Sequence, residues 1–209
     1  MSSPRTQLEE AFAALRGDLL SEGGPQISTM RNYRFAIVPY SPAYEYRLRQ
    51  QVRSLVGELT AHGWVVLTLS LQKLLLRRVR GLGEDVVQRI IEMERQVSQS
   101  SRERGLQYLS QKISSQIEGP DGIATDVCGE IQAFVEANPE KSERSLVIVG
   151  RAGALYPFFR TSSLLKHIDG RTQGVPVVLL YPGERRGGNS LSFMGVVSPD
   201  GDYRPRIYP

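Results

Sequence analysis

The chain has 209 residues, of which 40% are hydrophobic and 23% are charged, and these values are near the averages for soluble globular proteins. They exclude a disordered chain, which would combine low hydrophobicity with high net charge, and the length predicts a single domain over residues 1–209. The formal net charge of +4 comes from residues 151–209, which carry 8 basic and 4 acidic residues, because residues 1–150 carry 18 of each.

The first predicted element is an N-terminal helix over about residues 7–20. Leu8, Phe12 and Leu15 recur there at steps of four and three residues, which is the spacing of one helical face. Charged residues such as Glu9 interrupt the segment, so it lacks the unbroken apolar core of a signal peptide. No apolar run in the sequence reaches the roughly 18 residues that a membrane-spanning helix needs. We therefore expect a cytoplasmic protein that makes no membrane contact.

A strand, a helix and a second strand are expected next. The apolar segment RFAIVPY at 34–40 predicts a short buried strand. Ser41 and Pro42 favour a helix start, because the hydroxyl can accept a free amide and proline suits the first turn. Gly63 favours the end of that helix, since glycine readily adopts the left-handed conformation. The β-branched segment WVVLTLSL at 64–71 predicts the second strand.

The middle of the chain is predicted to be helical. A helix over 71–80 is followed by a glycine-containing break at 81–83. Apolar residues keep helical spacing through 84–117 on both sides of a polar patch, which predicts two helices or one kinked helix. A turn at 118–122 then precedes a helix over 123–137.

The C-terminal part contains apolar strand-length segments separated by a helix. Strands are expected at 145–150, 175–182 and 190–197, with a helix over 155–168. Near-continuous apolar strands of this kind are typical of sheets covered on both faces. The sequence therefore predicts an α/β fold, a single three-layer domain with a mostly parallel sheet of about five strands flanked by helices. A short loop before the last strand leaves an antiparallel pairing open, and spacing does not determine the strand order.

Three loops follow predicted strands and are candidate ligand sites, because ligands of parallel sheets collect beyond the carboxyl ends of the strands. They are residues 40–42, 150–154 and 181–186. In the second loop, small residues and Arg151 could bring backbone amides and positive charge to an anion. The loop matches neither the phosphate-binding loop of nucleotidases nor the dinucleotide fingerprint, so a turn without a ligand is the favoured interpretation.

Catalytic and metal-binding patterns are scarce. His62 and His167 are each placed near a helix end, where a cation meets the negative end of the helix dipole, and a capping role is favoured over a general base. Cys128 keeps helical spacing with apolar neighbours, which predicts a buried, inert thiol. One Cys and two His are too few for a structural zinc site. The sequence predicts no catalytic residue, no metal and no cofactor, and hence a protein that is not an enzyme.

The basic excess of the C-terminal quarter has several interpretations. For Arg160 a solvated or ion-paired role is favoured over a site for phosphate or a partner carboxylate. The tail at about 199–209 ends in DYRPRIYP, which alternates aromatic and basic residues. Such residues stack on bases and bind phosphate, or anchor protein interfaces. The same tail could instead pack as an edge strand on its own domain.

Several motifs in order resemble the BrxB family of bacteriophage exclusion (BREX) defence systems. They are the segments VIVGRAGALYPFFRTSSLLKHIDG, VPVVLLYPGE, SLSFMGVV and DYRPRIYP, and the resemblance is densest over 146–209. The N-terminal part agrees in layout through RFAIVPYSP and the helix that follows it. The spacing of these motifs makes the resemblance specific.

The resemblance implies a small component of a phage-defence system that also includes a DNA methyltransferase, a large ATPase and an alkaline-phosphatase-like protein. It implies no reaction. We therefore expect a non-catalytic adaptor that binds another BREX protein, with the alkaline-phosphatase-like protein as a candidate; the alternatives are a nucleic-acid-binding component that contacts DNA and a degenerate nucleotide-binding protein. The candidate partner-binding or anion-binding residues are Arg151, Tyr156, Arg160, Arg185, Tyr203, Arg204, Arg206 and Tyr208.

Overall fold

The structure, a computed structural model, describes residues 3–22, 26–27, 34–119, 121–159, 161–185, 190–196 and 205–209. Within these residues the helices are α1 (Pro4–Leu19), α2 (Glu45–Ala61), α3 (Leu71–Gly81), α4 (Glu84–Ser100), α5 (Arg102–Ile117), α6 (Ile123–Ala137) and α7 (Thr161–Ile168). The strands are β1 (Phe35–Tyr40), β2 (Val65–Ser70), β3 (Ser145–Gly150), β4 (Val177–Arg185), β5 (Leu191–Phe193) and β6 (Arg206–Ile207). Short 3₁₀ helices cover Pro42–Tyr44, Pro139–Arg144 and Ala152–Leu155.

The strands form one mostly parallel sheet in the order β2-β3-β4-β1-β6. The centre of the sheet is the pair β1 and β4, which is in parallel register from Phe35 with Val177 to Tyr40 with Pro182. β5 lies off this path and pairs antiparallel with the end of β4. The predicted α/β fold with a mostly parallel sheet is therefore confirmed, and the strand order is new information.

Helices pack on both faces of the sheet, which explains why the strand sequences are almost continuously apolar. Successive strand side chains point to opposite faces, so Ile37 and Val149 belong to one core while Val38 and Ile148 belong to the other. The first core is filled by residues of α3, α5, α6 and α7. The second is filled by residues of α1 and α2.

The C-terminal tail packs against β1 and α1. β6 pairs parallel with β1, and the Tyr208 side chain is 1% exposed. The Tyr208 hydroxyl donates to a carboxylate oxygen of Asp18 at 2.8 Å, and Arg206 lies 2.7 Å from the same oxygen. Among the interpretations of the tail, this arrangement corresponds to the edge strand on the protein's own sheet.

One helix differs from the sequence prediction, and a second prediction that left two alternatives open is resolved. The helix expected from residue 155 begins at Thr161, because Pro157 cannot donate a backbone hydrogen bond and forces Tyr156 into an extended conformation with ψ of 139°. The segment 84–117 forms two helices, because Ser101 is extended with φ of −163° and its hydroxyl accepts from the amide of Arg104 to begin α5.

The last predicted strand is also shorter than expected. Apolar residues at 190–197 predicted a strand of eight residues, whereas β5 covers only Leu191–Phe193. Met194 and Gly195 have φ of 55° and 73°, values of the left-handed region, so the chain turns there.

In the part of the chain that the structure describes, no helix is long and apolar enough to cross a membrane.

Candidate binding groove at the carboxyl edge of the sheet

Residues from two of the three predicted loops meet through one carboxylate at the carboxyl edge of the sheet. Glu45, the first residue of α2, accepts a hydrogen bond from the hydroxyl of Tyr40 at 2.6 Å and one from Arg151 at 2.8 Å. Tyr40 ends β1 and Arg151 directly follows β3, so Glu45 connects two strand ends that are not neighbours in the sheet. Two of the segments that the rule for parallel sheets named as candidate ligand loops are therefore brought together in the structure.

Arg151 is held from two sides. Its guanidinium group also donates to the side-chain oxygen of Gln72 at 2.8 and 3.2 Å, which leaves the arginine with well-defined partners in α2 and α3. Its backbone lies in the left-handed region with φ of 64°, an uncommon conformation for a non-glycine residue. The side chain is 35% exposed and lines the groove beside it.

Burial raises the pKa of the Tyr40 phenol well above its ordinary value of 10.0, and the hydrogen bond to Glu45 raises it further. The phenol loses hydration when it is buried, and its anion would face a carboxylate. Tyr40 is 4% exposed and β1 is central, so the proton is retained for as long as this part of the sheet stays folded. The stability of the fold at alkaline pH therefore depends on the protonation of this buried phenol.

Above pH 10 we expect Tyr40 to make stability fall as the pH rises. The unfolded chain releases the phenol proton there while the folded protein retains it, so the free energy of unfolding should decrease by at most about 1.4 kcal/mol per pH unit from this group. Urea unfolding at pH 9, 10 and 11 measures the slope. Tyr40→Phe should make the slope shallower by a similar amount, and an unchanged slope would contradict the assignment.

Next to this network lies a groove of about 550 Å³ between α2 and the β2 side of the sheet. Its floor is apolar and comes from both α2 and the sheet: Leu48, Val52, Val56, Ile148 and Leu180. Its rim is basic, with four cationic side chains and one carboxylate: Arg49, Arg53, Lys73, Arg151 and Glu45. An apolar floor with a charged rim is suited to bind a ligand that is both apolar and anionic.

The cations of the rim differ in how far they are neutralised. Arg151 pairs with Glu45 at 2.8 Å, and Arg49 is 3.9 Å from the same carboxylate. Arg53 and Lys73 are exposed and form no ion pair with any residue in the described ranges. These two side chains therefore provide most of the positive charge that the groove offers to a ligand.

Two of the residues nominated from sequence lie at the same edge and are exposed. Tyr156 is 40% exposed, and its ring centroid lies 6.3 Å from that of Phe193 in the β4–β5 hairpin. Arg185 is exposed at the end of β4, where it is in register with Leu191. Gly153 lies close to this hairpin, because an added Cβ there would lie 3.2 Å from the sulfur of Met194.

The other nominated residues have different positions. Arg206 is half-buried, pairs with Asp18, donates to the carbonyl of Gln26 at 2.8 Å and stacks over the ring of Tyr208. Burial, with Asp18 as hydrogen-bond acceptor, raises the pKa of the Tyr208 phenol above its ordinary value. Both side chains attach the tail to the body of the protein. Arg160, Tyr203 and Arg204 lie outside the described residues.

The remaining polar candidates have local roles. His62 caps α2, and its Nδ1 lies 2.9 Å from the carbonyl of Glu58. Cys128 is buried, as predicted, and burial raises the pKa of its thiol, which makes the thiolate scarce at neutral pH. Over the ranges that the structure describes, no group of three or more His, Cys, Asp or Glu side chains is placed to hold a metal ion.

Sequence reasoning missed Arg49, Arg53 and Lys73. Arg49 and Arg53 are four residues apart on α2 and flank its apolar stripe, while Lys73 lies in the first turn of α3 directly after β2. Two like charges four residues apart on a helix repel each other, so they are unfavourable unless a ligand or another charged group pairs with them. This spacing was the signal that the sequence offered. It was hidden because residues 1–150 are neutral as a whole.

A family model described as BREX protein BrxB matches residues 67–207, roughly two thirds of the chain. The match begins within β2 and includes Lys73, Arg151 and the β4–β5 hairpin. No curated protein and no solved structure matches the chain.

Proposed function

Because this chain belongs to the BrxB family of BREX phage-defence components, we propose that it is a non-catalytic adaptor that binds another BREX protein through the groove at the carboxyl edge of its sheet. The family assignment confirms the resemblance carried by the C-terminal motifs. The partner is another component of the same system, and the alkaline-phosphatase-like protein is the first candidate.

The observation that carries this proposal is the composition of the groove. Its volume of about 550 Å³ accommodates several side chains, and its apolar floor provides the burial that drives association. The floor lies beside Arg53 and Lys73, which pair with no carboxylate in the described part of the chain, so binding can combine apolar contact with charge complementarity. This combination favours a protein partner over a purely polar ligand.

Tyr156 and Arg185 extend the same surface beyond the groove. Tyrosine and arginine are the residue types that most often dominate the free energy of binding at protein interfaces. Both are exposed at the edge where β3 and β4 end. We therefore include Tyr156, Arg185 and Arg151 in the proposed docking surface.

We expect the tagged protein, expressed with the complete BREX system, to recover at least one other BREX component from nuclease-treated cell extract. Mass spectrometry of the recovered proteins identifies the partner, and extract from cells that express the tag alone gives the background. Tyr156→Ala combined with Arg185→Ala should reduce recovery about tenfold, because loss of two interface anchors commonly costs more than 1 kcal/mol each. Recovery of no BREX component by the unaltered protein would refute the adaptor function.

The basic rim also favours a second candidate function, a nucleic-acid contact in the same system. Phosphate neutralisation would make affinity fall steeply as the salt concentration rises. A mobility-shift titration with duplex and single-stranded DNA at about 50 and 200 mM salt measures this dependence. Binding that is absent at the lower concentration would eliminate the nucleic-acid function and leave the adaptor function intact.

A nucleotide-binding function has less support. In the loop after β3, Arg151 already binds Glu45 and Gln72, and the segment that follows is a 3₁₀ helix of four residues. Its amide dipoles are too few to add up to a helix dipole like that of a longer helix. A thermal-shift screen with ATP, GTP and magnesium should therefore give no stabilisation.

A further inference from the structure

We infer that the groove receives an extended acidic segment of the partner protein, which adds to the sheet as a new strand along the outer edge of β2. This inference rests on the proposed adaptor function and specifies how the partner is recognised. It combines two independent observations on the described residues: the outer edge of a strand pairs with no other strand, and two cations beside it pair with no carboxylate.

β2 is the outermost strand on its side of the sheet. It pairs with β3 from Val65 with Ser145 to Ser70 with Gly150. Its other edge pairs with no strand in the described part of the chain. Backbone amides and carbonyls at such an edge are ready to bind another extended chain, and peptide-recognition domains use this mode.

The burial of β2 agrees with an open edge. All six residues of β3 except the last are buried, whereas in β2 only Leu69 is. Thr68 is exposed although it lies near the middle of β2, and it lines the groove. The surface beside β2 is therefore uncovered on the face where the groove lies.

The charges of the groove specify the chemistry of the segment. Arg53 on α2 and Lys73 on α3 both line the groove, and neither has a carboxylate partner among the residues described. Side chains of an added strand would alternate, so every second one would point toward the groove. Aspartate or glutamate at some of those positions would pair with the rim, and apolar residues at the others would contact the floor.

The length of β2 limits the length of the segment. Six residues of strand correspond to about 20 Å, so a segment of about six residues can pair along the whole edge. A DNA strand would use the same cations and would not need the backbone edge. The two ligands therefore differ in whether the amides of β2 become hydrogen-bonded.

The test uses the full chain and the partner recovered with it from nuclease-treated extract. Arg53→Glu combined with Lys73→Glu should reduce partner recovery about tenfold or more, because like charges would then face the acidic segment. Arg95→Glu combined with Arg104→Glu is the matched control, since both arginines are exposed on α4 and α5 and the change in net charge is the same. The control should recover the partner as well as the unaltered protein does.

Hydrogen exchange on the purified complex provides the second measurement. We expect the β2 amides that point away from β3, which are every second one over Val65–Ser70, to exchange at least about tenfold more slowly in the complex than in the free protein, because these amides gain hydrogen-bond partners. Undiminished recovery by the Arg53→Glu and Lys73→Glu double variant would overturn the inference and leave the adaptor function standing. Unchanged exchange of the β2 amides would overturn it as well, even if the charge reversals reduce partner recovery.

Two further outcomes would refute the function on which this inference rests. If the unaltered protein recovers no BREX component from treated or from untreated extract, both the adaptor function and the strand-addition inference fail. If untreated extract yields a BREX component and nuclease treatment abolishes its recovery, a nucleic acid bridges the two proteins, and both are refuted in favour of the nucleic-acid function.

Discussion

A fragment that lacks residues 1–64 should not fold into a stable domain, although it contains the whole region matched by the family model. This region begins at residue 67, whereas β1 lies between β4 and β6 in the sheet. Removal of β1 would expose the edge of β4 along six residue pairs and would separate β6 from the rest of the sheet. The matched region therefore lacks the strand at the centre of its own sheet.

The fragment would also lose most of one hydrophobic core. Thirteen of the eighteen buried residues described for the core on the α1 and α2 face belong to residues 1–64. The remaining sheet face, which includes Ile148, Val178 and Leu180, would be exposed to water as a continuous apolar patch. The stabilising free energy lost with a whole covering layer of helices exceeds the usual free energy of unfolding, which is about 5–15 kcal/mol.

Expression of the fragment 65–209 should therefore give insoluble protein or a collapsed state without cooperative unfolding. Solubility, near-ultraviolet circular dichroism and urea unfolding measure this outcome. Co-expression of residues 1–64 as a separate chain is the positive control, because it supplies α1, β1 and α2 and should restore soluble protein. Cooperative unfolding of the fragment alone would show that the sheet does not depend on β1.

Tyr208→Ala should destabilise the protein by about 3–5 kcal/mol, which is the usual cost of removing a large buried aromatic side chain. The ring is 1% exposed within the core formed with α1, and the hydroxyl donates to Asp18 at 2.8 Å. The substitution removes the apolar contact, leaves a cavity and deprives the Asp18 carboxylate of one donor. Urea unfolding at pH 7 gives the change in the free energy of unfolding.

Tyr208→Phe is the matched control for this prediction. It retains the ring and removes only the hydrogen bond, so it should cost about 0.5–1.5 kcal/mol while Arg206 still pairs with Asp18. A cost below about 1 kcal/mol for Tyr208→Ala would mean that the tail is not packed against α1 in solution. Tyr208 would then be free to act as the exposed anchor that the sequence suggested.

Much of the local structure could be predicted from sequence because its causes are local. Strand β3 and helix α6 begin and end at the predicted residues, since apolar periodicity and flanking turn residues are properties of a short segment. Gly63 and Gly83 have φ of 80° and 92°, as expected of glycines that end or interrupt helices. The start of α7 was predicted too early because the apolar pattern was weighted above Pro157, although the restriction that proline imposes is also local.

The partners of the charged residues could not be predicted, because they come from distant parts of the sequence. Arg151 pairs with Glu45 over a separation of 106 residues, and Tyr208 binds Asp18 over a separation of 190. The sequence placed the basic excess in residues 151–209, and the nominated residues followed that excess. Folding neutralises Arg151 and Arg206 with carboxylates from the N-terminal part of the chain.

The α/β class, most of the helices and strands, and the loops that meet at the carboxyl edge of the sheet could be predicted from the sequence. The strand order could not, and neither could two features of the described residues: the outer edge of β2 pairs with no strand, and Arg53 and Lys73 pair with no carboxylate. Periodicity acts between residues close in sequence, whereas electrostatic neutralisation acts between residues close in space, so only the first can be detected in the sequence.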